Sequence, residues 1–265
     1  MNETLAAATP FVRRSRDTRG VVTLVLDRPQ SFNALSEGML NALQVELDAL
    51  ANDEGARVVV IAAEGKAFCA GHDLKQMRAE PSQSYYEALF AQCSRVMLSL
   101  QRLPVPVIAR VQGIATAAGC QLVAACDLAV ASSDARFAVS GVSLGLFCSS
   151  PSVALSRNLQ RKAAFEMLVT GEFISAEEAR SKGLINRVAP ADRLDAEVEA
   201  LVAAIVAKPR VAIALGKALF YRQLESGVAT AYEDAGRTMA ANMMDACALE
   251  GVQAFIDKRK PDWSR

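Results

Sequence analysis

Two alternating apolar patterns constrain this chain most. Short β-branched runs occur at Gly20–Leu26 (G-V-V-T-L-V-L), Arg57–Ala62 (R-V-V-V-I-A) and Val107–Val111 (V-I-A-R-V). Each is of strand length, and the unbroken run in Arg57–Ala62 predicts a strand buried on both faces. Between them lie stretches with helical spacing. Ser36 is placed to cap a helix carrying Leu40, Leu43, Val45 and Leu47 to about Leu50. Leu89, Phe90, Cys93, Val96, Met97 and Leu100 give a second helix over Tyr85–Leu103, which Leu103-Pro104-Val105-Pro106 ends. Strand, helix, strand, helix, strand, helix is the order of an α/β fold with largely parallel pairing.

Asp127–Ala131 and Ala135–Val139 read as further short strands, and Ala63–Asp73 as a loop that runs into a helix start. From Ser150 onward helices dominate. Ser175-x-x-Glu178 is a capping box, closed by Gly183, and Ile185–Val188 is one more strand. Three or four amphipathic helices follow from Asp192, punctuated by Pro209, Gly227 and Gly251. The expected organisation is a flexible lead over 1–19, a core over 20–200 and a helical region over 201–265. That last region is expected to pack on the core or on a neighbouring subunit.

Formal net charge is zero, which speaks against nucleic acid or an anionic membrane as the main partner. Six cysteines show no CxxC spacing and lie mostly among apolar or small residues, so buried free thiols in a reducing compartment are expected. His72 is the only histidine; a multi-histidine metal site is excluded, and a Ser-His-Asp triad would have to use it. No apolar run has membrane-spanning length and no secretory signal pattern is present. The cytoplasm is therefore the expected compartment, with an organelle matrix as the alternative.

The stretch Gly113–Asp127 (G-I-A-T-A-A-G-C-Q-L-V-A-A-C-D) turns abruptly from small residues into an apolar helix-like segment. Small side chains leave backbone N–H groups approachable, and a helix start offers unpaired donors with the positive end of the dipole. Such a site suits an oxygen that develops negative charge. Close packing of the helix against a sheet explains the same composition. A second small-residue loop, Gly65–Lys75 (G-K-A-F-C-A-G-H-D-L-K), also follows a buried strand and runs into a helix. Two such loops could aim two N–H groups at one point, as thioester chemistry requires.

Leu26-Asp27-Arg28-Pro29 with Asn33-Ala34-Leu35-Ser36, then A-F-C-A-G-H-D-L, then G-I-A-T-A-A-G-C-Q-L, resemble the crotonase (enoyl-CoA hydratase/isomerase) superfamily. The ending E-G-V-Q-A-F-I-D-K-R-K-P fits as well, so the resemblance runs from about 20 to 263. The run G-L-F-C-S-S-P-S-V-A-L and the ending K-R-K-P-D-W are similar to the enoyl-CoA hydratase domain-containing protein three group.

The resemblance implies a spiral of ββα units, a C-terminal helical region that forms trimers, and a trimer or dimer of trimers. It implies an acyl-CoA ligand whose thioester oxygen sits between the N–H groups of His72 and Ala118. Coenzyme A would enter with the substrate, with no separate cofactor and no metal. Arg28, Ala70, His72, Asp73, Leu74 and Lys75 fall at positions that would meet it, and Phe255 and Lys258 at positions that reach a neighbour's nucleotide. Family hydratases place their paired glutamates where this chain has Gln121 and Gly141. An amide can orient a ligand but cannot act as a general base near neutral pH, and glycine offers no side chain. Efficient hydration is therefore not expected. The His72 imidazole is a candidate replacement base, Asp73 a weaker one. Ser140, Ser143, Cys148, Ser149 and Ser150 are expected to line or pack the acyl pocket. The alternatives are a non-catalytic acyl-CoA-binding protein, decarboxylation or thioester hydrolysis.

Overall fold

The computed structural model describes residues 10–79 and 81–263. Its larger sheet has the order β1-β2-β3-β5-β7-β10, built from Val12–Arg16, Val21–Leu26, Val58–Ala63, Val107–Val111, Leu128–Ser132 and Arg187–Ala189. All pairs in it are parallel except β1 with β2. A smaller sheet, β4-β6-β8-β9, joins Ala67–Cys69, Ile114–Thr116, Arg136–Ala138 and Ile174–Ser175. From β3 to β8 the chain lays one strand in the large sheet and the next in the small one. A helix then returns it, which is the ββα spiral.

Every residue of β3 is buried, and its side chains divide by parity. Val59 and Ile61 join the main core with Leu40, Leu43 and Leu47 of α1 (Glu37–Ala51) and Val96 and Leu100 of α3 (Gln83–Arg102). Val58 and Val60 face the other way, against Val198 and Val202 of α8 (Leu194–Val206). Helices on both faces are what a parallel sheet needs. Ser36 caps α1 through Met39 N, and the Ser175–Glu178 box forms with both of its bonds.

Several expectations are corrected. Part of the expected flexible lead is ordered: Val12–Arg16 pairs along its whole length with β2, as a charged edge strand. Residues 1–9 lie outside the described residues. The boundary at 200/201 falls inside α8, which packs on the sheet and so belongs with the core. The loop Ala63–Asp73 contains β4, the stretch after Gly113 contains β6, and the strand expected at Ile185–Val188 is shifted to Arg187–Ala189.

The remaining helices are α2 (Leu74–Ala79), α4 (Ala118–Ala125), α5 (Ser149–Asn158), α6 (Arg161–Thr170), α7 (Ala176–Ser181), α9 (Arg210–Leu224), α10 (Val228–Met243) and α11 (Ala246–Ile256). No residue of α10 is buried, and only Ala254 of α11 is. Val228, Tyr232, Met239, Met244, Phe255 and Ile256 stand exposed there.

Candidate functional site

The site lies where the two small-residue loops press together. Gly71 sits at φ 91°, a left-handed conformation that favours glycine. A Cβ there would come within 2.9 Å of Ala117 Cβ and 3.3 Å of Ala118 N. On the other side, a Cβ at Gly119 would collide with the Cys69 carbonyl oxygen and lie 2.7 Å from its carbon. The glycines are therefore needed for a backbone-to-backbone contact. The small residues of Gly113–Asp127 serve close packing: Gly119 lies against the Cys69 carbonyl, and Ala117 and Ala118 lie against Gly71.

Each loop is held from behind. Asn33 is fully buried and donates through Nδ2 to Glu64 O at 2.8 Å and Ala67 O at 2.9 Å, while Oδ1 accepts from Arg28 N at 2.8 Å. Ala70 N donates to Phe32 O at 3.0 Å and Leu35 N to Gly71 O at 2.7 Å. In the second loop Ala117 N donates to Ala138 O at 2.9 Å, and Ala117 itself takes φ 51°, ψ −121°. That is a region alanine rarely adopts, and strain of this kind is concentrated at functional sites. It turns the chain sharply from β6 into α4.

Ala118 is the first residue of α4, so its N–H has no intrahelical acceptor. Among the described residues, neither Ala118 N nor His72 N donates to a backbone oxygen outside the regular elements. The Ala118 methyl group is buried in the main core.

The side chains around this point are almost all uncharged. His72 Nδ1 lies 3.2 Å from Leu35 O, and the ring meets Phe90 edge-on at 5.4 Å between centroids. A carbonyl only accepts, so Nδ1 carries the proton and Nε2 is the bare nitrogen of the neutral ring. Burial lowers the His72 pKa, opposed only by the Leu35 bond. Burial pushes the thiols of Cys69 and Cys120 up to about 12 and raises Cys148 as well. Asp73 spends one carboxylate oxygen on the N–H groups of Lys75 and Gln76, at 3.0 and 3.1 Å, which starts α2.

Gln121 is only 5% exposed, and its Oε1 is sealed with no hydrogen-bond partner among the described residues. Gly141 lies in a 3-10 turn over Ser140–Leu144. Leu146 N folds back onto Gly141 O at 2.9 Å. A Cβ at Gly141 would collide with Leu146 O and lie 2.7 Å from Cys148 Sγ. The chain has thus closed over the space a side chain at 141 would fill. Cys148 takes part of that space, and neither feature was foreseen, because nothing local in V-S-G-V-S-L signals the turn. Ser140 Oγ lies 3.1 Å from Thr116 Oγ1, Ser143 Oγ packs near Gly171, and Ser149 and Ser150 begin α5.

The fold brings Ala70–Asp73, Ala117–Gln121 and Gly141 together. Leu74 and Lys75 are exposed at the start of α2, beside that point. Arg28 is turned back: its guanidinium sits 4.1 Å above the Phe11 ring and donates to Pro10 O at 3.0 Å and Asp27 O at 2.6 Å. Phe255, 86% exposed, ends α11, and Lys258 follows it in a left-handed turn at φ 54°. These two belong to the C-terminal surface, apart from the loops. Two cavities, of about 230 and 400 Å³, also lie in that region, around Pro209, Val211, Cys247 and Trp263.

A model of the family described as enoyl-CoA hydratase/isomerase matches residues 16–265. The chain is 46% identical over 255 residues to the Homo sapiens protein named enoyl-CoA hydratase domain-containing protein 3, mitochondrial, covering 96% of this chain and 84% of that one. The crystal structure of that human protein superposes with a TM-score of 0.92 at 45% identity, over 96% of this chain and all of the other. A crystal structure described as enoyl-CoA hydratase from Mycobacterium smegmatis matches with a TM-score of 0.96 and 68% identity, over 97% of this chain and 100% of that one.

Proposed function

The chain belongs to the enoyl-CoA hydratase/isomerase family, and on that premise we propose that it holds an acyl-CoA thioester oxygen between the N–H groups of His72 and Ala118. The contact of Gly71 with Ala117 and Ala118 supports this reading: a Cβ at Gly71 would lie 3.3 Å from Ala118 N, and among the described residues neither N–H donates to a backbone oxygen outside the regular elements. Fixed donors aimed at an oxygen that gains charge are a large term in such chemistry. Coenzyme A enters as part of the substrate. Ala70, Asp73, Leu74 and Lys75 line its path, with Arg28 at the edge and Phe255 and Lys258 supplied by a neighbouring chain. The exposed apolar faces of α10 and α11 supply the trimer contact.

The activity is of hydratase or isomerase type but does not use a pair of carboxylates. Gln121 orients the acyl group or a water, and Gly141 contributes no side chain. The closed turn over Gly141 favours a second reading, reactions that need only the oxyanion site: decarboxylation, thioester hydrolysis or, at the limit, binding without turnover. The relatives in Homo sapiens and Mus musculus are named as mitochondrial, and the most identical structure cited above is from Mycobacterium smegmatis. Both fit a reducing interior, cytoplasm or organelle matrix, in which free cysteines are stable.

Calorimetric titration with butyryl-CoA and with free CoA tests the reading. Butyryl-CoA should bind more tightly, and Ala118→Pro should lose at least about tenfold in affinity, since proline removes that N–H at the helix position where proline is best tolerated. Equal binding of the two ligands would sink it. Crotonyl-CoA hydration should stay far below the roughly 1–1,000 s⁻¹ usual for enzymes.

A further inference from the structure

A hydratase- or isomerase-type reaction must move a proton at the carbon beside the thioester carbonyl, and the positions of the two family glutamates supply no base here. The ionisable groups that the two loops do bring to this point are few. Cys69 and Cys120 are thiols held neutral by burial, and Cys148 is raised in the same direction. The Asp73 carboxylate is engaged by two backbone N–H groups. That leaves His72, whose backbone N–H is itself one of the two proposed donors.

The geometry points to the His72 imidazole as the group that takes and returns this proton. Three observations place it. The ring is anchored through Nδ1 to Leu35 O at 3.2 Å, which fixes the tautomer and leaves Nε2 as the acceptor. Its plane is set by the edge contact with Phe90, which in turn stacks on Tyr86 at 6.4 Å. Nε2 has no partner among the described residues, and His72 is only half-buried, so that nitrogen is open to a ligand. Burial keeps the ring neutral near pH 7, as a base must be.

The step balances within the site. Nε2 takes the proton from C2, the C2–H pair moves into the thioester, and the carbonyl oxygen becomes an enolate held by the His72 and Ala118 N–H groups. The imidazolium then returns its proton to C2, or to C4 when the substrate is a 3-enoyl thioester, which shifts the double bond. The imidazolium charge lies beside the enolate and further stabilises it. The ionisable groups on the surrounding elements are already engaged or neutral. Glu37 of α1 bonds Gln76, Tyr86 of α3 donates to Met77 O, burial holds Cys93 of α3 neutral, and Asp73 caps α2. Lys75 is exposed on α2. Among the described residues, the His72 ring's hydrogen bond is to Leu35 O and not to a carboxylate.

This inference rests on the thioester-binding reading, and the test separates the two. With 3-butenoyl-CoA in D₂O, NMR follows deuterium entry at C2 and crotonyl-CoA formation, while calorimetry with butyryl-CoA follows binding. In the natural protein the exchange rate should rise with pH through one inflection below about 6.5 and then level, because the neutral ring is the active form. His72→Asn keeps an N–H near Nδ1 for Leu35 O and removes Nε2. Measured at saturating 3-butenoyl-CoA, so that affinity does not enter, it should lose about 100-fold or more in exchange, with an unchanged circular dichroism spectrum. Exchange that is absent in the natural protein, independent of pH, or retained within about threefold by His72→Asn overturns the role of the imidazole while thioester binding stands. Failure of the natural protein to bind butyryl-CoA removes both. Should His72→Asn not fold, the pH profile of the natural protein decides.

Discussion

Each end of α4 holds a polar side chain largely out of solvent, and the two are treated in opposite ways. Beyond the C-terminal end, Asp127 accepts from Val107 N at 2.6 Å, from Lys217 Nζ at 2.6 Å and from Tyr221 Oη at 2.7 Å. Lys217 completes its set by donating to Leu100 O and Val105 O, at 2.8 and 2.9 Å. Burial lowers the Lys217 pKa, and Asp127 opposes the shift. At the N-terminal end, Gln121 is as buried as Lys217, yet its Oε1 has no partner among the described residues. A completed network ties α9 to the core and serves stability. An unsatisfied amide weakens the fold, and a site that meets a ligand is where such a loss is offset.

Removing one member of the completed network should have the largest effect. Lys217→Met leaves the partly buried Asp127 carboxylate without its cation, at a cost of about 3 kcal/mol. Urea unfolding would show it. The triple variant Lys217→Met, Asp127→Leu, Tyr221→Phe should cost much less than the summed single losses, because the charges leave together. A sum close to additive would mean that the network is three separate contacts.

Gly141→Glu comes next. Its Cβ meets the backbone of Leu146, which is no flexible tip, so the variant should lose about 1–3 kcal/mol by overpacking. Adding Gln121→Glu should not produce efficient crotonyl-CoA hydration. A large gain in hydration by the double variant would show that the turn opens easily, and that the two ends of α4 differ less than their geometry implies.

The large sheet and its helices were legible because burial on both faces of the strands and on one face of each helix writes a period into the sequence. The small sheet was not: β4 and β6 are three residues each, inside loops of small residues, and only their pairing makes them strands. Strand β1 reads V-R-R-S-R, which looks like a solvated lead. As an edge strand it keeps its arginines, which pair with Asp27, Glu46, Asp53 and Glu64. In the site, the two small-residue loops could be read from motifs. The role of Lys217 could not, since a lysine on an amphipathic helix normally reads as solvated. Nor could the closure of Leu146 over Gly141, which depends on a turn with no local signature.

Replacing Gln121 reverses the sign of the first prediction. An orphaned buried acceptor costs about 1–3 kcal/mol, so Gln121→Leu, of similar volume, should stabilise the protein by about 1 kcal/mol. It should also weaken butyryl-CoA binding or slow its exchange, the trade expected where a polar group serves a ligand. A destabilised Gln121→Leu would place Gln121 with the structural group at Asp127.

A gain of the same size is expected at Ala117, where the strain itself can be weighed. Its φ of 51° and ψ of −121° suit glycine, and holding alanine there costs about 1–3 kcal/mol. Ala117→Gly removes that cost but gives the unfolded chain about 0.4–1 kcal/mol of extra freedom. The net expectation is a gain of about 1 kcal/mol, read as a small rise in the unfolding midpoint. The same substitution removes the methyl group that Gly71 packs beside, so the two loops should hold their N–H groups less rigidly. Acyl-CoA affinity should fall slightly while stability rises, the same opposition that Gln121 shows. If stability falls instead, the methyl contact with Gly71 outweighs the backbone strain, and the N-terminal end of α4 is held by packing much as the other end is held by Asp127.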